Sequence, residues 1–227
     1  MTEPMQSQVH LTGEGKDSGA PHPSEGRGSD TGVTDGLAKW SLRIGVSLLA
    51  VVALAYGLGL RYNSTASMPE GIYAETAIGS GTVRAGELVM FCPSPEVAAF
   101  GSERGYLLKG RCEGGVAPLG KAVIAVAGDT VIVSDRGVSV NGLLVPFTQP
   151  LRVDSKGRPL EPVMGEMILT PGQAYVVSNY HGRSFDSRYF GPIRTEQIRG
   201  QIRELVTWGN GWEDDPRKIF APPHTSG

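Results

Sequence analysis

The most prominent pattern along the chain is an uninterrupted apolar run. Residues 44–60 carry no charge, and extending the run back to Trp40 admits only Arg43. At 1.5 Å per helical residue, a helix over 40–61 lies at the short end of what spans the ~30 Å hydrocarbon core of a bilayer. Trp40 suits one interface and Tyr62 the other. A buried core helix would be less uniformly apolar. A cleaved signal peptide has an apolar run of about 7–15 residues close to the N-terminus, whereas roughly forty residues precede this one. The pattern therefore predicts one uncleaved transmembrane helix. Lys39 and Arg43 flank its N-terminal side and Arg61 the other, a slight positive-inside bias. It places the N-terminus in the cytoplasm and the rest of the chain on the exported side.

After the apolar run the pattern changes to short stretches rich in Val, Ile and Tyr. Residues 71–78, 87–91, 122–126, 130–133, 138–140 and 174–178 read as strands separated by Gly, Pro, Asn and Asp. Asn141-Gly142 predicts a type I′ hairpin turn, because both central residues must take positive φ. Residues 134–137 look like a second tight turn, and 95–105 one short helix with Ser94 as its cap. A mainly β domain over 62–208 follows. Residues 1–38 hold seven glycines, six acids, two bases and few large apolar side chains. Such a segment cannot bury enough surface to offset its chain entropy, and reads as a disordered cytoplasmic tail. Residues 209–227 read as a flexible C-terminal tail.

Composition sharpens this picture. Among 227 residues, 32 glycines and 16 prolines are too many for a long coiled coil, and no Gly-X-Y period marks a collagen. The formal net charge is −2. Setting aside the tail's two bases and six acids leaves 19 basic and 17 acidic residues, a net of +2. That is too little for a nucleic-acid-binding face. Cys92 and Cys112 are the only cysteines. On an exported domain they make either a persistent disulfide or two buried thiols.

Several chemistries can be weighed from the residues. His181 is the one histidine within the predicted domain, and Ser184 and Asp186 stand nearby, but an isolated loop histidine is more often a solvated side chain. No His, Cys and carboxylate spacing suggests a metal centre, and no cofactor is expected. Gly79-Ser80-Gly81 lacks the helix that a phosphate loop requires. A serine activated by a neutral lysine is better served. Lys121 opens the apolar run 121–127, which would carry its amine into a site of low dielectric. Ser67-Met68-Pro69 follows the apolar run closely, where a serine can meet a membrane-tethered peptide.

Ser67-Met68-Pro69-Glu70-Gly71-Ile72-Tyr73 resembles the nucleophile motif of type I signal peptidases, serine proteases with a Ser-Lys dyad. Its Gly-Ile-Tyr ending is closer to the conjugative-transfer branch, the TraF type. Three further resemblances follow in the family's order. Residues 84–89 resemble the strand motif Arg-Gly-Asp-x-Val with one residue inserted. Residues 121–129 resemble the lysine motif Lys-Arg-Val-x-x-x-Pro-Gly-Asp. Residues 184–191 resemble the closing Ser-x-Asp-Ser-Arg-x-x-Gly motif.

The resemblance implies a signal-peptidase-like, β-rich catalytic domain behind one N-terminal transmembrane helix. It implies Ser67 as nucleophile and Lys121 as general base, with Asp186, Arg188 and Ser184 in support. It also implies an oxyanion hole from the Ser67 backbone N–H and the Thr65 hydroxyl. Ala122 and Ala127 depart from the family's Arg and Pro; Arg188 then becomes the candidate partner of Asp186. Lys109 is the other lysine between the two motifs, in what looks like a polar loop. Cys92 and Cys112 bracket an insertion of the kind found in the conjugative branch, which a disulfide would close. The implied setting is the bacterial inner membrane with a periplasmic catalytic domain, and the implied partners are a membrane-tethered precursor, the bilayer and a conjugative transfer apparatus. The implied substrate is a pilin precursor, with cyclisation by its own N-terminus allowed. Two alternatives are a general signal peptidase acting on many preproteins and a non-catalytic scaffold of the transfer apparatus. A cytosolic self-cleaving repressor also uses Ser-Lys chemistry, but the span argues against it.

Overall fold

The structure is a computed structural model that describes residues 31–65, 67–77, 83–178 and 180–208. The two stretches read from sequence as tails therefore lie largely outside the described residues. The chain divides into two units, Met1–Leu49 and Ala50–Gly227. Helix α1 spans Thr31–Gly57. Within it, Gly36–Gly57 has a mean hydropathy of 1.7, and its apolar window is entirely unburied. Its 22 residues extend about 33 Å, long and apolar enough to cross a bilayer.

The helix differs from the expected 40–61 at both ends. It begins at Thr31, inside the stretch read as disordered, and stops at Gly57. The cause of the early stop is local. Gly59 adopts φ +82°, and a Cβ there would lie 2.5 Å from the Glu75 carbonyl oxygen. The chain turns at that glycine, so Arg61 and Tyr62 belong to a strand. Arg61 closes the helix end by donating to the Tyr56 carbonyl at 2.8 Å, and it pairs with Glu75 at 2.7 Å.

The elements that follow, in chain order, are β1 (Leu60–Asn63), β2 (Glu70–Thr76), β3 (Leu88–Phe91), α2 (Pro95–Arg104), β4 (Leu119–Val126), β5 (Thr130–Ser134), β6 (Gly137–Val140), β7 (Leu143–Leu144), β8 (Gly165–Ile168), β9 (Gln173–Val177), α3 (Ser187–Phe190), β10 (Ile193–Arg194) and β11 (Ile198–Trp208). They form a seven-stranded antiparallel sheet in the order β1-β2-β11-β3-β4-β9-β10 and a four-stranded one in the order β7-β6-β5-β8. The mainly β expectation holds.

All six predicted runs are strands in the structure, with bounds shifted by up to three residues; Ile78 lies outside the described residues. Asn141 and Gly142 take φ of 50° and 83°, and Val140 pairs with Leu143 across them, as a type I′ turn requires. Helix α2 starts where Ser94 accepts the Val97 N–H and ends at Gly105 in the left-handed region. β4 reads as a continuous apolar run because both of its faces are covered. On one side Ile124 and Ala125 pack with Val131, Val138 and Tyr175; on the other Val123 packs with Val89, Phe91 and Val176.

Cys92 and Cys112 are joined by a disulfide. They enclose α2 and share a small core with Ala98 and Val116, with Leu107 packed against it. Closing a loop of this length stabilises by about 3 kcal/mol. Reduction, or Cys92→Ser with Cys112→Ser, should therefore lower the melting temperature of the domain, as followed by circular dichroism with and without reductant.

Candidate active site

Ser67 lies in the link 64–69 that connects β1 to β2 at the edge of the large sheet. Met68 and Pro69 anchor this link by being buried. Met68 packs with Tyr73, Leu88, Ala122 and Ile202. Gly71, four residues after Ser67, sits where a Cβ would meet the Val206 carbonyl oxygen at 2.3 Å. β2 and β11 can close on each other only because that side chain is absent.

Lys121 sits on β4, flanked by β3 and β9, with Val89 as its register partner on β3. It is 1% exposed. Its Nζ lies 2.6 Å from Ser67 Oγ and 2.9 Å from Ser184 Oγ. Burial lowers its pKa to about 8, opposed by the Asp186 carboxylate and assisted by the Arg188 guanidinium. A substantial share of Lys121 is thus neutral at mildly alkaline pH, which is what a base for a serine hydroxyl requires.

Behind the amine lies a buried ion pair. Asp186 and Arg188 are both 0% exposed. Arg188 Nε and Nη2 each donate to the Asp186 carboxylate at 2.8 Å, a bidentate fork. The remaining arginine donors reach the carbonyls of Gln149, Ser178 and Ser184. Asp186 also caps α3 and accepts the Ser178 N–H at 3.1 Å. Position 122, where the resemblance leads one to expect an arginine, is instead a fully buried alanine packed beneath Met68.

Ser67, Lys121, Ser184 and Thr65 open together onto a cleft of about 240 Å³, walled in part by Tyr106, Leu160, Phe185 and Tyr189. The Thr65 hydroxyl donates to Asn63 Oδ1 at 2.7 Å, so in this conformation it faces the asparagine. His181 also lines the cleft, but its Nδ1 accepts the Arg183 N–H. Lys109 is exposed.

Sequence reasoning left several contributors unassigned, Ser178 and Tyr106 among them. Ser178 ends a predicted strand, yet its hydroxyl donates to the Ser67 carbonyl at 2.6 Å. Tyr106 lies in the disulfide-closed insertion and forms part of the cleft wall, where its hydroxyl meets Asp154 at 2.6 Å. Both contacts join residues at least 48 positions apart, and no local pattern signals them.

A family model described as "Signal peptidase, peptidase S26" matches residues 37–208. The plasmid transfer protein TraF of Escherichia coli is 40% identical over 167 residues, covering 72% of this chain and 92% of that protein. The probable conjugal transfer protein TraF of Sinorhizobium fredii (strain NBRC 101917 / NGR234) is also 40% identical over 167 residues, covering 72% of this chain and 85% of that protein. A crystal structure of a signal peptidase I from Enterococcus faecalis V583 is 20% identical, covers 56% of this chain and 98% of that one, and has a TM-score of 0.31.

Proposed function

The chain belongs to the signal peptidase family, peptidase S26, and we propose that it is a membrane-anchored serine endopeptidase that processes an exported precursor in conjugation. The observation that carries this reading is the 2.6 Å contact between a fully buried lysine amine and the Ser67 hydroxyl at the mouth of a cleft. Neutral Lys121 accepts the Ser67 proton as Oγ attacks the scissile carbonyl. Ser184 holds the amine in place. The oxyanion forms within reach of the Ser67 N–H and of the Thr65 hydroxyl once that hydroxyl turns from Asn63; each such donor contributes roughly 2.7–4 kcal/mol in comparable sites. The proton then passes from Lys121 to the departing amine, the C–N bond breaks, and an ester remains on Ser67. Water resolves it by hydrolysis, or a second amine by aminolysis.

The names of the relatives, which are plasmid and conjugal transfer proteins, favour the transfer apparatus as setting; a pilin precursor as substrate rests on the resemblance of the Gly71-Ile72-Tyr73 ending to the conjugative-transfer branch. α1 would anchor the enzyme in the inner membrane with the peptidase domain in the periplasm. That orientation follows the charge bias around the span. Purified full-length protein in lipid nanodiscs should cut a pilin precursor into two fragments, as read by intact mass. A cyclic product would be lighter by one water than the hydrolysed one. A precursor left intact would overturn the reading, and equal cleavage of unrelated secretory preproteins would replace it with a general signal peptidase.

The pH dependence follows from Lys121. Its neutral form is the active base, so the rate should rise with pH to a plateau, with a midpoint near the pKa of about 8. Well below that midpoint the rate should fall about tenfold for each pH unit. Initial rates of precursor cleavage between pH 5 and 10 would show it, and a rate that rises into acid would exclude a neutral lysine base.

A further inference from the structure

Among its described residues the link that carries Ser67 has no regular structure, yet one side chain reaches both of its ends. Asn63 closes β1, opposite Gly71 of β2. Its Nδ2 lies 3.1 Å from the Thr65 carbonyl oxygen, 3.0 Å from that of Met68 and 3.1 Å from that of Pro69. Its Oδ1 accepts from the Thr65 N–H at 3.2 Å and from the Thr65 hydroxyl at 2.7 Å. The orientation of the amide is fixed by this chemistry. Carbonyl oxygens only accept and a backbone N–H only donates, so the nitrogen must face 68–69 and the oxygen must face Thr65 N.

We propose that Asn63 is the positioning residue of the nucleophile: its carboxamide grips the backbone on both sides of Ser67 and sets the hydroxyl against the Lys121 amine. The proposal rests on the peptidase reading above. Holding a link of this length in one conformation costs roughly 1–2 kcal/mol of backbone entropy per residue, and something must hold it. The Tyr73 hydroxyl secures Pro69 at 2.7 Å and the Ser178 hydroxyl secures Ser67 at 2.6 Å. Asn63 reaches both arms, Thr65 before the serine and Met68 with Pro69 after it. A nucleophile misplaced by 1 Å loses on the order of 10²-fold in rate, so this grip acts on the chemical step.

The test compares Asn63→Ala with Asn63→Asp in the full-length protein in nanodiscs. The probe is a strained lactam that acylates Ser67, followed by intact mass. Aspartate keeps the size and the Oδ1 acceptor but sets a carboxylate oxygen against three carbonyl oxygens. Both variants should acylate about 10²-fold more slowly. In Asn63→Ala the half-saturating probe concentration and the pH midpoint should stay near wild-type values, because no charge is added; in Asn63→Asp the added carboxylate can only move the midpoint upward. Acylation of Asn63→Asp at the wild-type rate would overturn the proposal, as would a loss of labelling that merely tracks the unfolded fraction in a parallel thermal melt. A wild type that neither labels nor cleaves precursor would overturn the peptidase reading itself.

Discussion

Lys121→Arg should reduce acylation of Ser67 to background at every pH, a loss of at least about 10⁴-fold. The neighbouring lysine amine can act as a base because burial lowers its pKa to about 8. A guanidinium does not deprotonate in a protein, so the same position would present a permanent cation to the serine hydroxyl. Ser67→Ala should be equally inactive, since in the proposed mechanism the two groups act as one unit. Folding must be controlled, because position 121 is enclosed between β3 and β9. Lys121→Met serves here: it keeps an unbranched side chain of similar length, fits the apolar surroundings and lacks a base. A folded, inactive Lys121→Met beside a folded, inactive Lys121→Arg would make proton acceptance the missing step. An arginine enzyme that still labels at Ser67 would remove Lys121 as base and leave His181, the cleft's histidine, as the group to examine.

The parts of the site legible in the sequence are those written in short strings. Ser67-Met68-Pro69 and the segment from Ser184 to Gly191 each hold their chemistry within a few residues, and Lys121 stands at the head of an apolar strand. The bidentate Asp186–Arg188 pair is also local, two residues apart. Asn63 and Ser178 were not legible as site residues, because what they do depends on where strands are brought together. Asn63 ends a strand that the sequence merges into the apolar run, and Ser178 reaches Ser67 across 111 positions.

The same reasoning explains the fold. β5, β6 and their turns are signalled by local chemistry, as Asn141-Gly142 shows. β11 is the longest strand among the described residues, and its β-formers Ile198, Ile202, Val206, Thr207 and Trp208 do not fall into one clean alternation. Arg199, Arg203 and Glu204 break the apolar pattern, and its pairing shifts register between Ile198 and Gly200 and again between Glu204 and Val206. Each shift moves the alternation to the other phase. Its partners β2 and β3 lie more than a hundred residues earlier. β1 was absorbed into the predicted span for a simpler reason: Leu60 continues the apolar run, and only the left-handed backbone at Gly59 separates helix from strand.

Arg188→Ala should destabilise the domain by at least about 3 kcal/mol. Total stabilities are roughly 5–15 kcal/mol, so this change alone brings the fold near its limit. The cost arises in two places. Asp186, fully buried, loses its fork of two 2.8 Å bonds. The carbonyls of Gln149, Ser178 and Ser184 lose donors as well, at about 1–3 kcal/mol for each one left unpaired. These two sources predict different behaviour in a double variant. If the uncompensated charge dominated, Arg188→Met combined with Asp186→Leu would regain most of the stability, as apolar replacements of buried ion pairs often do. The carbonyls that lose the guanidinium, Ser184 above all, argue that it will not, and the double variant should be no more stable than the better single. Urea unfolding of the four proteins decides between them. Arg188→Lys tests the geometry, since it keeps the charge but cannot form the fork. It should fold better than Arg188→Ala, yet cleave more slowly than wild type. The same arginine holds the backbone of Ser184, whose hydroxyl meets the Lys121 amine, and of Ser178, whose hydroxyl meets Ser67. Wild-type stability in Arg188→Ala would mean that the carboxylate finds another partner, and that the pair supports catalysis alone.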